Sequence, residues 1–388
     1  MMDNSKRFLL IIGTAWMIDA LDVALLSFIM PLLKTEWALN ATQLGVVAAI
    51  TSAGMMVGAL LCGRLSDVFG RKKVVIGTLI LFSLSNLALV FTPNVTWFII
   101  IRFITGIGLG GELPVAATII ADRYTGKKRS QMLVLSDSFW AYGWILASLI
   151  AFFVIPHFGW RVAVMLTVIF AGYALVLRKH LPPDPSVKNK PTTQPFQELL
   201  FPKNKRPFIM ISIVWLIVML TYYGIFLWLP SVLVLRGFPI VNSIGYTLIM
   251  SIAQLPGYYL AAHLLSKINP KKLLITYLLG TIASSLVFIL STSLPMVLLS
   301  GAFLSFFDLG AWGILIALTP SLFQTNIRGT AMGTAQSIGR FGATIGPFLV
   351  GWLLDMKTGI AFIFSLFVAL LLIAVIIINF GISEQPSQ

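Results

Sequence analysis

The chain has 388 residues, of which 58% are apolar and only 10% charged, and its mean hydropathy is +0.95; soluble domains carry about 25% charged residues, so a soluble globular protein is excluded. The formal charge of +14 would suggest a nucleic-acid partner in a polar chain, but here no polar face exists to carry a basic patch, and no nucleic acid is expected. A single cysteine, Cys62, and three scattered histidines exclude a disulfide framework and offer no ligand spacing, so no metal or cofactor is expected.

Taken in chain order, apolar runs long enough to cross a ~30 Å hydrocarbon core as a helix occur twelve times. They cover 8–33, 43–66, 73–91, 96–121, 131–155, 160–180, 208–235, 241–266, 271–291, 294–322, 330–354 and 358–382. Prolines, glycines, Asn or basic residues mark the breaks at 31–40, 70–73, 93–94, 126–129 and 156–159. The first run is too long for a signal peptide and is expected to remain as a span. Residues 181–207 hold seven of the nineteen prolines and a basic cluster, which reads as an extended cytoplasmic linker between a six-helix half at 1–180 and another at 208–388.

The positive charge assigns the sides. With the N-terminus in the cytoplasm, twenty-one of the 27 Lys and Arg residues fall inside; Lys34, Arg161, Arg236 and Lys357 fall outside, and Arg102 and Arg340 lie within spans. The positive-inside rule therefore puts both termini in the cytoplasm. Shifting the chain by 199 residues lays Trp16 on Trp215, Pro31 on Pro230, Gly58 on Gly257, Arg129 on Arg328 and Gly143 on Gly342. That register predicts an all-α membrane protein of twelve transmembrane helices in two parallel six-helix repeats, with a site at their interface.

Between spans 2 and 3, residues 63–73 read GRLSDVFGRKK. Gly63 and Gly70 allow a tight turn, and Asp67 can sit against a helix N-terminus or an Arg as a breakable charge contact. A solvated basic loop would explain Arg71 to Lys73 but not Asp67 with both glycines. The stretch resembles the signature loop of the major facilitator superfamily, a resemblance that covers nearly the whole chain and implies the fold just described. RFITGIGLGGELP at 102–114, followed by Asp122 and Arg129, is similar to the fourth-span motif of sugar porters, synaptic-vesicle-2-like proteins and bacterial metabolite:proton symporters. Its glycines sit in an apolar helix, where they suit helix packing and not dinucleotide binding. TPSLFQTNIRG at 319–329 is similar to the family's second-half loop, but Ser321 replaces the acid and Gln324 the proline. The resemblance thus rests a cytoplasmic gate on Gly63, Asp67, Gly70, Arg71, Asp122 and Arg129, with Arg328 opposite. WMIDALD at 16–22, DSFWAYGW at 137–144, YYGIFLWLP at 222–230, QLPG at 254–257 and DLGAW at 308–312 most resemble bacterial nicotinate permeases, with aromatic-acid:proton symporters next.

Ionisable residues inside spans cost roughly 2.5–3.5 kcal/mol each at the helix centre, so each needs a partner or a water-filled cavity. Asp19 and Asp22 share a helix face, and Arg102 comes to the depth of Asp22 on span 4. They form either a proton-coupling pair, the role the resemblance to sugar porters implies, or a permanent ion pair. Glu112 and Asp137 reach comparable depth on spans 4 and 5 and are further proton-coupling candidates. Asp308 and Arg340 match in depth on spans 10 and 11; Arg340 either receives an anionic substrate or pairs with Asp308. Tyr222, Tyr223, Trp312, Trp140 and Trp144 fall on helices that the resemblance makes cavity-lining, where a flat ring could stack and Gln254 could orient it. Trp37, Trp97, Trp160 and Trp352 read as interfacial anchors.

The expectation is a proton-coupled importer of a small carboxylate, nicotinate or another aromatic acid. It would work as a monomer in a bacterial cell membrane, with a small-molecule substrate, protons and the lipid bilayer as its partners and no enzymatic activity. A sugar or polyol transporter, and a nutrient-sensing receptor on the same scaffold, are the alternatives.

Overall fold

A computed structural model describes residues 4–69, 71–110, 124, 126–179, 195–324 and 327–382. These residues are helical, in the order α1 (Asn4–Glu36), α2 (Ala41–Phe69), α3 (Arg71–Leu89), α4 (Val95–Gly110), α5 (Gly126–Asp137), α6 (Phe139–Lys179) and the short α7 (Pro195–Leu199). There follow α8 (Pro202–Phe226), α9 (Leu229–Leu235), α10 (Ile240–Ile252), α11 (Gln254–Leu264), α12 (Pro270–Leu290), α13 (Leu294–Ser321), α14 (Arg328–Asp355) and α15 (Ile360–Ile376). Among the described residues, eight helical stretches are long and apolar enough to cross a membrane, and Ile76–Leu89 and Val95–Gly110 are shorter apolar helices.

Three expected spans differ in detail, each for a local reason. The expected break at 156–159 appears as a kink inside α6 at Gly159, whose φ of 79° and ψ of 171° are open to glycine and strained for any other residue. Beyond the kink the helix returns along the bundle, since Trp160 bonds Glu36 at the end of α1 whereas Thr167 meets Asn86 deep inside. The run at 208–235 is cut after Phe226, and the run at 241–266 after Ile252. Both cuts fall four residues before a proline, Pro230 and Pro256, whose ring cannot accept the preceding helical turn unchanged.

Glycines bring the helices into backbone contact. A Cβ on Gly58 would lie 2.2 Å from the carbonyl oxygen of Ile107, and one on Gly257 2.2 Å from that of Phe306. A Cβ on Gly143 would lie 2.4 Å from the Met17 carbonyl oxygen, and one on Gly342 2.2 Å from that of Leu216. In both pairs of contacts, each partner is displaced from its counterpart by the same 199 residues that align the sequence. Between the N-terminal and C-terminal groups of helices, α2 packs on α14 and α6 on α10. At the first of these seams Gly351 sits against the Ala41 carbonyl.

Trp37 and Trp160, at the span ends, pack on one another and do not stand free. Trp160, Trp37 and Phe98 pack edge to face with centroids 5.6–6.0 Å apart, and Trp160 is only 4% exposed. Trp97 and Trp352 do face outward.

Candidate functional site

Two polar clusters interrupt the apolar interior. In the N-terminal half, Asp22 of α1 accepts from Arg102 Nη1 of α4 at 2.6 Å and from Asn86 Nδ2 of α3 at 2.7 Å. Asn86 also donates to Thr167 of α6 at 3.1 Å, and the Arg102 guanidinium lies 5.7 Å from the centre of the Phe98 ring. Asp22 and Arg102 are almost fully buried. The matching depth expected for the two residues is therefore a direct ion pair, closed off by two neutral polar residues. Sequence reasoning passed over Asn86 and Thr167; an isolated Asn in an apolar run was the available signal, because a buried amide needs partners.

The second cluster lies where the halves meet. Tyr222 and Tyr223 follow one another on α8, so they point to different sides. Trp140 Nε1 of α6 donates to the Tyr222 hydroxyl at 2.6 Å, a bond between the halves. Arg340 Nη1 of α14 donates to the Tyr223 hydroxyl at 3.0 Å and touches Met55 Sδ of α2 at 3.5 Å. Trp312 of α13 lies against both tyrosines, with centroids 5.2 and 6.5 Å away, and Trp215 packs edge-on against Trp312 at 5.5 Å. Trp144 completes the wall through Phe226 at 5.9 Å.

Carboxyl groups surround this aromatic wall. Asp308, one helical turn before Trp312, is within electrostatic reach of Tyr222 and Tyr258. Asp19 and Asp137 are within reach of Tyr223, and the Tyr258 hydroxyl faces Asp137. Both oxygens of Asp308 and both amide atoms of Gln254 are buried with no hydrogen-bond partner among the described residues. Arg340 and Asp308 are thus not paired with each other, which settles the geometric alternative left open by their depths. Unsatisfied polar groups are expensive in an apolar interior, and Asp308 is one such group beside the aromatic wall.

The comparisons with known proteins decide the family. The family model described as Major Facilitator Superfamily matches residues 12–274 and 241–388. The chain belongs to the Major Facilitator Superfamily. A Bacillus subtilis (strain 168) relative named for niacin/nicotinamide transport is 44% identical over 96% of this chain and 94% of its own length. An Acinetobacter baylyi protein named Niacin transporter is 36% identical, over 97% and 93%. Among solved structures, a D-xylose-proton symporter superposes with a TM-score of 0.83 at 19% identity, covering 98% of this chain and 99% of that one; the likeness concerns the fold. The sugar-porter and synaptic-vesicle-2 branch suggested by the fourth-span motif is not supported by sequence. Relatives at 28% identity are named for gentisate in Corynebacterium glutamicum, over 90% and 81%, and for benzoate in Acinetobacter baylyi, over 92% and 86%.

Of the residues expected at the superfamily's cytoplasmic gate, Gly70 and Asp122 lie outside the described residues, as does Glu112 of the proton-coupling set; the side chains of Asp67, Arg71 and Arg129, and position 63, also lie outside the described detail. Arg328 opens α14, at its first residue. The opposite end of the bundle carries a clamp that sequence reasoning missed. Asp355, the last residue of α14, accepts from the backbone amides of Ala41 and Thr42 at 3.0 and 2.8 Å, and from the Thr42 hydroxyl. The carboxylate thereby caps the first turn of α2, whose amides have no helical partner. The Thr42 hydroxyl bond, helped by the two amides and the charge of Lys34, holds the Asp355 carboxyl below its ordinary range against the opposing effect of partial burial. At the same end Glu36 accepts from Arg161 and Trp160. Burial pushes Glu36 up, but the bonds from Arg161 and Trp160 outweigh it and its pKa is lowered.

Proposed function

We infer that this chain is a secondary transporter, and not an enzyme, that imports a small aromatic carboxylate such as nicotinate across the cell membrane by proton-coupled alternating access. The observation that carries the reading is the aromatic wall between the halves, with Arg340 held against Tyr223 and with the unsatisfied Asp308 beside it. Relatives at 44% and 36% identity are named for niacin transport, and others for gentisate and benzoate; all are flat aromatic acids or their close kin. In this reading Arg340 takes the carboxylate and Tyr222, Tyr223, Trp312, Trp140 and Trp144 enclose the ring.

Proton coupling follows from the charges around the wall. Arg340, Asp19 and Asp137 lie around Tyr223 and Asp308 by Tyr222, so carboxyl groups outnumber the arginine and an anion entering the site gains if protons enter with it. Asp22 would exchange its ion pair with Arg102 for a proton as the halves rock, with Glu112 and Asp137 serving the cytoplasmic side. The repeated close contacts at the 199-residue register support two six-helix halves related by duplication, moving about the seam between α2 and α14. The Asp355 clamp would close one end, and the loop bearing Asp67 the end that the positive charges assign to the cytoplasm.

Uptake of labelled nicotinate into proteoliposomes tests the reading. Accumulation above the outside concentration is expected only when the outside is acidic, with competition from unlabelled benzoate. Asp22→Asn should abolish accumulation while leaving exchange down a gradient. Accumulation by D22N equal to that of the parent would overturn the proton role of Asp22, and indifference to every aromatic acid would overturn the substrate class.

A further inference from the structure

The tyrosine pair has different chemistry at its two ends. At one end stands a fixed cation, Arg340, bonded to the Tyr223 hydroxyl at 3.0 Å. At the other stands Asp308, 1% exposed, close to Tyr222 and with neither oxygen hydrogen-bonded among the described residues. The two rings between these ends are in contact, 5.1 Å apart centre to centre, so the cation and the acid belong to one aromatic cluster. Arg340 is suited to a carboxylate, because its guanidinium offers a planar fork of donors. What Asp308 is suited to depends on its form. An ionised carboxylate would repel the anion held by Arg340 and would lie in an apolar interior without a donor, where charge is costly. The neutral acid instead presents one O–H for which no acceptor stands within hydrogen-bond reach among the described residues. Tyr222, within electrostatic reach of Asp308, already accepts from Trp140.

We propose that Asp308, as the neutral acid, donates its O–H to the ring nitrogen of a pyridine carboxylic acid whose carboxylate is held by Arg340, and so selects a pyridine ring over a benzene ring. The inference rests on the aromatic-acid reading above and names the residue that would set its specificity. A benzoate ion fills the same space but has no acceptor opposite Asp308, so its entry leaves a buried donor unpaired. Sites built around such a bond reject analogues that lack the partner far more strongly than apolar pockets discriminate by size. The proton stays on Asp308 throughout the binding step, and no bond to substrate is formed or broken other than this hydrogen bond.

The test is the ratio of benzoate to nicotinate dissociation constants, measured by calorimetry on the purified full chain at one pH. The parent should favour nicotinate by roughly 10–100-fold. Asp308→Leu should bring the ratio to within about threefold of one, the range left to shape alone. Asp308→Asn carries an amide N–H donor in the same place and should keep most of the preference even if both acids bind more weakly. Asp308→Ala repeats the Leu test should the larger side chain fail to fold. Preference retained in Leu and Ala overturns the proposal, and so does preference lost in Asn, which would mean that Asp308 acts as a charged acceptor. If the parent binds neither acid, the aromatic-acid reading fails and this inference fails with it; if the parent binds nicotinate and the Leu variant keeps the ratio, only the role of Asp308 is lost.

Discussion

Among the described residues each half buries one arginine, and the aspartate matched to it in depth is treated oppositely in the two. In the N-terminal half Asp22 and Arg102 meet at 2.6 Å, and Asn86 satisfies the second carboxylate oxygen. In the C-terminal half Arg340 turns to a tyrosine hydroxyl and a methionine sulfur across the seam, and Asp308 is left without a partner among the described residues. The backbone scaffold is not the source of the difference, because the glycine contacts of one half recur in the other at the same register. Helices with recurring contacts therefore carry a fully bonded aspartate on one side and an unbonded one on the other, although Asn86 Oδ1 and Arg102 Nε also have no hydrogen-bond partner among the described residues. Closed networks hold helices in place; open ones have capacity left for a ligand.

The strongest way to break this comparison is to delete each arginine. Arg102→Ala leaves the buried Asp22 carboxylate without its counter-charge, which should cost about 3–5 kcal/mol and show as a large fall in melting temperature, or as loss of folded protein. Arg340→Ala removes a cation whose described bond is to a neutral tyrosine hydroxyl, so folding should suffer less than in R102A and nicotinate binding should disappear. Equal destabilisation by the two changes would refute the distinction. A finer cut is Arg340→Lys, which keeps the charge but removes the planar fork. Its expected cost is about 1.5–3 kcal/mol in binding, read as a KM raised by one to two orders of magnitude with an unchanged melting temperature.

The shared scaffold can be tested in the same way. Gly143→Ala and Gly342→Ala each push a methyl group onto a backbone carbonyl, of Met17 and of Leu216, that a helix shift must relieve. Each should destabilise by about 1–3 kcal/mol, and by similar amounts. A cost confined to one half would mean that the recurring contacts do not carry equivalent loads.

How much of this was legible in the sequence depends on chain separation. Helix ends at Phe226 and Ile252 were written in Pro230 and Pro256, four residues on, although the apolar runs were read as continuous through them. Counting depth along two spans brought Asp22 to Arg102, but the same count brought Asp308 to Arg340, which do not pair, because depth does not say which way a side chain turns. Glycine register exposed the repeated contacts, since only a missing side chain allows carbonyl contact at that distance. The Trp140–Tyr222 bond between the halves and the Asp355 clamp carry no such signal. Their partners stand 82 and 313 residues apart, and tryptophan, tyrosine, aspartate and threonine at helix ends have many alternative uses. Only the packing of the halves selects one.

The Asp355 clamp gives the smallest expected effect and the one with a pH sign. Its carboxyl is held below the ordinary range by Thr42 and the α2 amides, so its contribution is fully present above the unfolded value near 3.9 and is lost as pH falls through the lowered native value. Asp355→Asn keeps one acceptor oxygen but loses the charge facing the α2 terminus, at a cost of about 1 kcal/mol, as for a helix cap. The melting-temperature gap between the parent and D355N should therefore be constant from pH 7 to pH 5 and close as the pH falls below about 4. Arg161 and Glu36 stand at the same end, but they are present in both proteins and cancel from the gap. A gap that widens on acidification would mean that the clamp is not held by the ionised carboxylate, and that the close packing of Gly351 on the Ala41 carbonyl holds this seam instead.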